Sequence, residues 1–196
     1  MKDISWQWPQ SDSPLFSNLS WTIRRGEFLA LTGPNSHGKS TLLKIIGGLL
    51  IPEKGTVLCD DQPVTAEQLR TLIAYLPQNT PLMSTTIREN LLAFLPEEPP
   101  SSTLQTILQQ LGLREAIDRL PGGLDFFVGE NGERLSPGIA RRIALARTFL
   151  QPKPLILLDE PELHLDLPAR VQLAELLLHY KSKHTIIIIS HHLPFI

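Results

Sequence analysis

A glycine-containing loop is the strongest chemical signal in the sequence. Residues 33–40 read Gly-Pro-Asn-Ser-His-Gly-Lys-Ser and fit the pattern G-x-x-x-x-G-K-[ST]. In that pattern backbone N–H groups wrap a polyphosphate at the start of a helix, a lysine reaches its β and γ oxygens, and a hydroxyl ligates Mg²⁺. The spacing therefore predicts a nucleotide-binding loop with Lys39 as the cation and Ser40 as the metal ligand. An ordinary glycine turn is the competing interpretation.

Two adjacent carboxylates supply a second site element. The apolar run 155–158 is followed directly by Asp159 and Glu160. We expect Asp159 to hold the Mg²⁺ shell, and Glu160 to act as a general base that polarises a water in line with the γ-phosphate. Alone, such a pair at a strand end would indicate a solvated turn. The phosphate loop favours the catalytic interpretation.

Short apolar runs that alternate with helical stretches must position these residues. The first run, 28–31, leads into the phosphate loop, and a helical pattern over 39–50 follows it. Further runs lie at 56–58, 73–76, 155–158 and 185–189. This order is typical of a mostly parallel sheet covered by helices, so the predicted fold class is α/β. The strand and helix on either side of the loop argue against a simple turn.

The segment between the third and fourth runs has a helical pattern. Capping-box patterns at Thr86-x-x-Glu89 and Ser102-x-x-Gln105 open two helical windows. A third window follows Ser136 and places four apolar residues on one stripe: Ile139, Ile143, Ala146 and Leu150. We therefore predict that residues 79–151 form a helical lobe inserted into the sheet domain.

Size and charge exclude some classes of protein. At 196 residues the chain predicts one domain, or one with an inserted lobe. Lys and Arg number 18 against 20 Asp and Glu, a formal charge of -2, so no broad basic surface is available and no nucleic-acid partner is expected. The single cysteine, Cys59, fits a cytoplasmic protein. No apolar run is long enough to cross a bilayer, so work at a membrane would need a partner.

Taken in order, the motifs resemble the nucleotide-binding domain of an ABC transporter. The resemblance extends from about Trp8 to His191 and is carried by residues 33–41, Gln78, 135–139, 159–160, Asp166 and His191. Residues 85–90 and 128–132 resemble the exporter branch of that family.

The resemblance implies a P-loop NTPase fold and a single ABC ATPase domain over 1–196. Residues 1–78 and 152–196 would form a RecA-like ATP-binding lobe, and 79–151 the helical lobe with the signature motif. It also implies ATP and Mg²⁺ as cofactors, bound in a head-to-tail dimer with a second nucleotide-binding domain. A transmembrane transporter subunit or domain would hold the chain at the inner, cytoplasmic face of a membrane.

Each ATP site would then be composite. In cis the resemblance assigns nucleotide contacts to the phosphate loop and the other strand ends: Gly33, Asn35, Ser36, His37, Gly38, Lys39, Ser40, Thr41, Asp159, Glu160 and His191. Gln78 would join Ser40 and Asp159 around Mg²⁺ and act in catalysis with Glu160 and His191. Ser136 and Gly138 of the other subunit would reach the γ-phosphate. Ser136 is independently a good N-cap, and Pro137 suits the first helical position.

Trp8 resembles the aromatic residue that stacks on adenine in this family. Its spacing leaves a second interpretation open, because Ile4, Trp6 and Trp8 alternate as in a half-buried strand. Stacking on the base and packing in the core therefore both remain open for Trp8.

The sequence departs from the family at several positions. Ser36 stands where glycine is usual, and a positive φ there would cost about 1 kcal/mol; His37 is also atypical. In the signature, Pro137 replaces a glycine and removes a backbone donor, and Ile139 replaces a glutamine. We therefore expect slower hydrolysis. Family members normally continue with more strands after the histidine, so the last part of the sheet domain is expected to be absent from this sequence.

Three functions compete at this point. The leading one is an ATPase subunit or domain that powers an exporter-like membrane transporter. The first alternative is a soluble ABC ATPase that acts on ribosomes or DNA, which a co-purified membrane subunit would exclude. The second is a regulatory nucleotide-binding module without hydrolysis, suggested by Ser36 and Pro137, which an ATPase assay with Mg²⁺ would discriminate.

Overall fold

The structure is a computed structural model that describes residues 1–191. Within them the strands are β1 (Lys2–Trp6), β2 (Phe16–Leu19), β3 (Phe28–Leu31), β4 (Lys54–Thr56), β5 (Leu58–Cys59), β6 (Gln62–Pro63), β7 (Ile73–Leu76), β8 (Leu155–Asp159) and β9 (Thr185–Ile189). The α-helices are α1 (Lys39–Ile46), α2 (Ala66–Leu72), α3 (Ile87–Leu92), α4 (Ser101–Gln110), α5 (Arg114–Asp118), α6 (Pro137–Leu150) and α7 (Leu167–Tyr180). Short 3₁₀ turns lie at Gly123–Asp125 and Glu130–Gly132.

A parallel sheet brings the predicted site segments to one edge. Its strand order is β3-β9-β8-β7, with Leu31 and Asp159 both opposite Ile189. Because the carboxyl ends of parallel strands meet at the same edge, the residues that follow these strands are neighbours. The predicted α/β class is confirmed, as are the runs at 28–31, 73–76, 155–158 and 185–189 as strands.

The two central strands separate two apolar clusters. On one face Leu157 and Ile187 pack with Leu43 and Ile46 of α1. The alternate residues Ile156, Leu158, Ile186 and Ile188 belong to the cluster on the other face, together with residues of α4, α6 and α7. Since both faces are buried, these strands are continuous apolar runs in the sequence.

The helices between β7 and β8 share one apolar core. The stripe predicted on α6 is confirmed, because Ile143, Ala146 and Leu150 are buried and Ile139 packs against the same cluster. The capping box of α3 is also confirmed. The Glu89 amide donates to Thr86 Oγ1 at 3.2 Å, and the Thr86 amide donates to Glu89 Oε2 at 3.0 Å.

The second predicted capping box is wrong. α4 begins at Ser101 with Pro100 in the N-cap position and no side-chain cap. Ser102 is therefore already helical, so its hydroxyl lacks the extended backbone geometry from which an N-cap accepts a bond. A capping box that the sequence analysis did not predict joins Thr65 and Gln68 at the start of α2.

Two predicted element boundaries are also corrected. The helix over 39–50 ends at Ile46, because Gly47 caps it and Gly48 adopts a left-handed φ of 66°. The run 56–58 is not a strand of the parallel sheet. β4 instead pairs with β1 in an antiparallel sheet of order β2-β1-β4, and β5 forms a hairpin with β6.

Candidate active site

An open cleft of about 670 Å³ lies at the carboxyl edge of the parallel sheet. It is lined by residues that are distant in sequence: Trp8, Asn35, Ser36, Gly38, Lys39, Ser40, Thr41, Gln78, Glu160, Ile189 and His191. Its volume is in the range of small-molecule sites. Of the residues predicted in cis, Gly33 and His37 belong to the same loop without lining the cleft, and Asp159 is buried at the end of β8.

The phosphate loop is shaped by backbone that favours glycine. Gly38 precedes α1 with a φ of 82°, and a Cβ there would lie 2.7 Å from Cζ of Phe16. Lys39 Nζ closes the loop by donating to the carbonyls of Gly33 at 2.8 Å and Pro34 at 2.7 Å. Ser36 has a φ of 67°, so the condition under which serine costs about 1 kcal/mol is met.

Asp159 is buried with an unsatisfied oxygen. Its Oδ1 has no hydrogen-bond partner within residues 1–191. Burial raises the pKa of Asp159, and a hydrogen bond from Ser40 opposes that shift. A buried carboxylate oxygen beside a hydroxyl suits a hard cation, since Mg²⁺ prefers oxygen ligands. The side chains of Asp159, Ser40 and Gln78 therefore fit Mg²⁺ by their chemistry.

Glu160 and His191 face each other in the cleft. His191 Nε2 lies 3.5 Å from Glu160 Oε1, and both side chains remain partly exposed to water. Glu160 has a φ of 48°, a left-handed conformation that is strained for a non-glycine residue. Its amide donates to the carbonyl of Ile189 at 2.9 Å. A carboxylate and an imidazole next to a water-accessible cleft can accept and orient a proton. His192, next to His191, lies outside the described residues.

The sequence analysis missed a buried arginine behind this pair. Arg141 of α6 is 5% exposed, and its guanidinium donates to backbone carbonyls of two site segments. Burial lowers the pKa of Arg141 to about 10, so the group stays charged at neutral pH. Its sequence signal is weak, because Arg142 follows it directly and adjacent arginines on a helix are also compatible with an exposed face.

Glu162 is a second buried charge that the sequence analysis missed. Its carboxylate accepts hydrogen bonds from the hydroxyl of Ser190 and, at 3.3 Å, from the amide of His191. It therefore holds the segment that carries the predicted catalytic histidine. Its sequence signal is weak, since a carboxylate two residues after Glu160 is also compatible with an exposed turn.

The signature residues lie outside the cleft of their own chain. Ser136 caps α6 as predicted, with Oγ accepting from the Ile139 amide at 3.3 Å, and Pro137 occupies the first turn. Neither Ser136 nor Gly138 lines the cleft. A Cβ on Gly138 would lie 3.1 Å from the carbonyl of His164, so glycine allows close packing of this helix start.

Trp8 follows β1 and is not a core residue. It is 46% exposed, lines the cleft, and packs edge-on against Trp6 with ring centres 5.8 Å apart. Packing of Trp8 in the core, one of its two open interpretations, is therefore wrong. An exposed aromatic ring at this rim is available to a planar ligand.

A glycine loop between a parallel strand and a helix, with an acidic strand end beside it, defines the class of P-loop NTPases. Comparison with known proteins gives the particular family. Residues 16–162 match the family described as ABC transporter, and the chain belongs to this family, whose ATP-binding domains hydrolyse ATP.

Similar proteins include a transport-system protein, a flippase and an ABC exporter of known structure. The chain is 34% identical over 196 residues to the glutathione/L-cysteine transport system ATP-binding/permease protein CydC of Escherichia coli, covering 98% of this chain and 34% of that protein. It is 32% identical to the ATP-dependent lipid A-core flippase of Aromatoleum aromaticum, covering 100% of this chain and 33% of the flippase. A solved bacterial Atm1-family ABC exporter with ATP bound superposes with a TM-score of 0.89 at 28% identity, covering 97% of this chain and 34% of that one.

The chain therefore spans about one third of the length of these relatives. Among the helices of residues 1–191, none combines the length and apolar character that a bilayer crossing requires.

Proposed function

We propose that this chain binds and hydrolyses Mg-ATP in the cleft and that its ATP cycle powers an exporter-like membrane transporter. One observation carries the ATPase part: the phosphate loop, the unsatisfied Asp159 oxygen and the Glu160–His191 pair meet at one sheet edge. The proposed lobes are 1–78 with 152–196, and 79–151.

The phosphate loop and its neighbours hold the nucleotide. Lys39 leaves the loop carbonyls to reach the β and γ oxygens, while the amides at the start of α1 face the phosphates. Ser40, Asp159 and Gln78 hold Mg²⁺, which when bound supplies positive charge that offsets the negative charge of the β and γ oxygens. Trp8 stacks on the adenine from the rim.

Glu160 is the general base of this proposal. It accepts a proton from the water whose oxygen attacks the γ-phosphorus, and ADP departs as the bond to the β-γ bridging oxygen breaks. His191, 3.5 Å from the carboxylate, orients that water toward the phosphate.

A second nucleotide-binding domain completes each site. Ser136 and Gly138 sit at the exposed start of α6 and do not line their own cleft. A helix start carries unpaired amides and a positive dipole end, both of which favour an anion. Head-to-tail pairing would place Ser136 and Gly138 next to the γ-phosphate of the ATP bound by the other domain.

The membrane partner docks on a surface built from the two exporter-like stretches. We call Met83, Phe127 and Glu130 the coupling surface; all three are exposed. The stretches are joined, since the Val128 amide donates to the Thr85 carbonyl at 3.0 Å. A membrane partner at this surface would hold the chain at the cytoplasmic face.

A buried amide fixes the shape of this surface. Asn90 is fully buried, and its Oδ1 accepts from the Met83 amide at 2.9 Å. Its Nδ2 donates to the carbonyls of Met83 and Thr86 at 2.9 and 3.0 Å. Exposed apolar side chains on a backbone held so firmly are typical of a binding surface rather than a loose loop.

Lys39→Ala tests the nucleotide part of the proposal. We expect Mg-ATP affinity to fall by at least about tenfold, because a charge-assisted contact to phosphate is removed. Titration with a fluorescent ATP analogue measures this affinity. The matched control is Lys153→Ala, because Lys153 is a partly exposed lysine whose Nζ contacts the Thr71 carbonyl. Unchanged affinity in Lys39→Ala would contradict the site. A membrane protein co-purifying with the native chain tests the transporter role.

A further inference from the structure

We propose that Arg141 and Glu162 are positioning residues for ATP hydrolysis. Together they form a buried pair of opposite charges that fixes, from behind, the backbone segments carrying Gln78, Glu160 and His191. The inference rests on the ATPase site proposed above and assigns these two side chains no contact with nucleotide.

Arg141 joins two strand ends through one planar group. Its Nη1 donates to the carbonyls of Pro77 at 3.0 Å and Gln78 at 3.1 Å, after β7. Its Nη2 donates to the carbonyls of Asp159 at 2.9 Å and Glu160 at 2.7 Å, at the end of β8. The guanidinium fork is rigid, so it sets the separation of the two segments.

Glu162 holds the third segment. Its carboxylate accepts from the Ser190 hydroxyl and the His191 amide, which places the backbone of His191 after β9. Glu162 and the Arg141 guanidinium are both buried and attract each other electrostatically. Each of these buried charges would be costly without the other.

The strain at Glu160 explains why such support is needed. A non-glycine residue at a φ of 48° stays there only when its surroundings determine its conformation. The carbonyls of Asp159 and Glu160 are both held by Arg141 Nη2, and the Glu160 amide is held by Ile189. Releasing the carbonyls would let this backbone relax and carry the Glu160 carboxylate away from His191.

The test combines single and double substitutions. Arg141→Met and Glu162→Met each lower kcat by at least tenfold, in line with the roughly 10²-fold loss that a 1 Å misplacement of a catalytic group produces. ATP affinity stays within about threefold, since neither side chain lines the cleft. Glu162→Gln retains more activity than Glu162→Met, because the amide oxygen still accepts the two hydrogen bonds.

The double variant separates positioning from stability. Removing one of two buried opposite charges leaves the other without its attraction, whereas replacing both by apolar residues removes both burial costs. Arg141→Met combined with Glu162→Met therefore unfolds at a higher temperature than Arg141→Met alone, while its kcat stays low. Arg147→Met is the matched control: Arg147 is a buried arginine of the same helix that lies over the Phe94 ring at 5.8 Å. Its substitution lowers the unfolding temperature and leaves kcat within threefold.

Three outcomes would overturn the inference. The first is a double variant whose kcat recovers together with its stability, and the second is a control, Arg147→Met, that loses kcat as strongly as Arg141→Met. The third is normal turnover in a folded Arg141→Lys variant, which keeps the positive charge but lacks the planar guanidinium. This variant also replaces Arg141→Met in the test if Arg141→Met does not fold. If the wild-type chain does not hydrolyse ATP in the presence of Mg²⁺, the proposed function fails; if the wild type turns over and the Arg141 and Glu162 variants do so equally fast, only this inference fails.

Discussion

Substitution of Asp159 by asparagine should stabilise the nucleotide-free protein and reduce the further stabilisation that Mg-ATP provides. The carboxylate is 2% exposed, one of its oxygens lacks a partner within residues 1–191, and burial raises its pKa. The ionised side chain is therefore a destabilising element of the free protein. Asparagine has nearly the same shape, carries no charge and is a poorer Mg²⁺ ligand.

The magnitude follows from the unsatisfied oxygen. An unsatisfied buried polar group costs about 1–3 kcal/mol, more when charged. The hydrogen bond from Ser40 and the attraction of Lys44 and Arg141 offset part of the burial penalty of Asp159. We expect a net gain of about 1–2 kcal/mol, which for a chain of this size raises the unfolding temperature by about 2–8 °C.

The pH dependence has a defined sign. Because the pKa of Asp159 is higher in the folded protein, the folded state binds more protons than the unfolded state between the two pKa values. The stability that protonated Asp159 contributes is fully present below pH 3.9, about the ordinary pKa of an aspartate, and is lost as pH rises through the raised pKa of the folded protein. At neutral pH the penalty is complete in the wild type, and the asparagine variant lacks it.

Thermal unfolding with and without ligand is the assay. Mg-ATP at 100 times its dissociation constant should stabilise the wild type by about 2.7 kcal/mol, and the variant should lose most of this shift. Glu160→Gln is the matched control, since it makes the same change of carboxylate to amide on a side chain that is partly exposed. Lower stability of the free Asp159→Asn variant, or full protection of that variant by Mg-ATP, would refute the reasoning.

Three further predictions concern turnover, assembly and coupling. Glu160→Gln should lower kcat by about 10²–10⁴ and spare ATP binding, because the amide cannot accept the proton; hydrolysis near the wild-type rate would place the base elsewhere. Sedimentation of that variant should show dimers with ATP and monomers without it, and a well-folded protein that stays monomeric at high concentration with ATP would contradict the composite site. Cysteines at Met83 and Phe127 should cross-link to cysteines in cytoplasmic helices of a membrane partner, and Glu130→Ala should lower transport while sparing basal ATPase. Absence of both effects would favour a soluble ABC ATPase.

The residues that bind and react could be predicted because their chemistry constrains local sequence. A phosphate loop needs glycines and a lysine at fixed spacing, and buried parallel strands need apolar runs, so both the sheet and its loop were predictable. Arg141 and Glu162 could not be predicted in the same way. Most of their partners are backbone carbonyls and amides of segments up to 64 residues away, and such partners leave no side-chain pattern in the sequence.

The antiparallel sheet was not predicted, for a related reason. All three residues of β4 are exposed and one of them is Gly55, so no alternation of apolar residues marks this strand. The predicted helix ends were wrong where a single residue determines the end of the helix. The N-cap of α4 is Pro100, two residues before the predicted Ser102, and Gly48 ends α1 early because its backbone turns left-handed.

The departures from the family pattern affect ligand contacts more than folding. Ser36 adopts its positive φ within the folded loop, so its strain of about 1 kcal/mol is a cost to the loop's own stability. Pro137 lies in the first turn of α6, where an N–H has no intrahelical partner, so the helix loses nothing and only a donor toward a bound anion is missing. A module that binds without hydrolysis would need a defect in the base, yet Glu160 and His191 face each other at 3.5 Å. Pro137 and Arg141 lie one turn apart on the same helix, and Arg141 donates to the Glu160 carbonyl. A weaker contact between the signature and a γ-phosphate would therefore change the position of this helix, and with it the position of Glu160. We therefore expect the departures to lower the rate of hydrolysis without abolishing it.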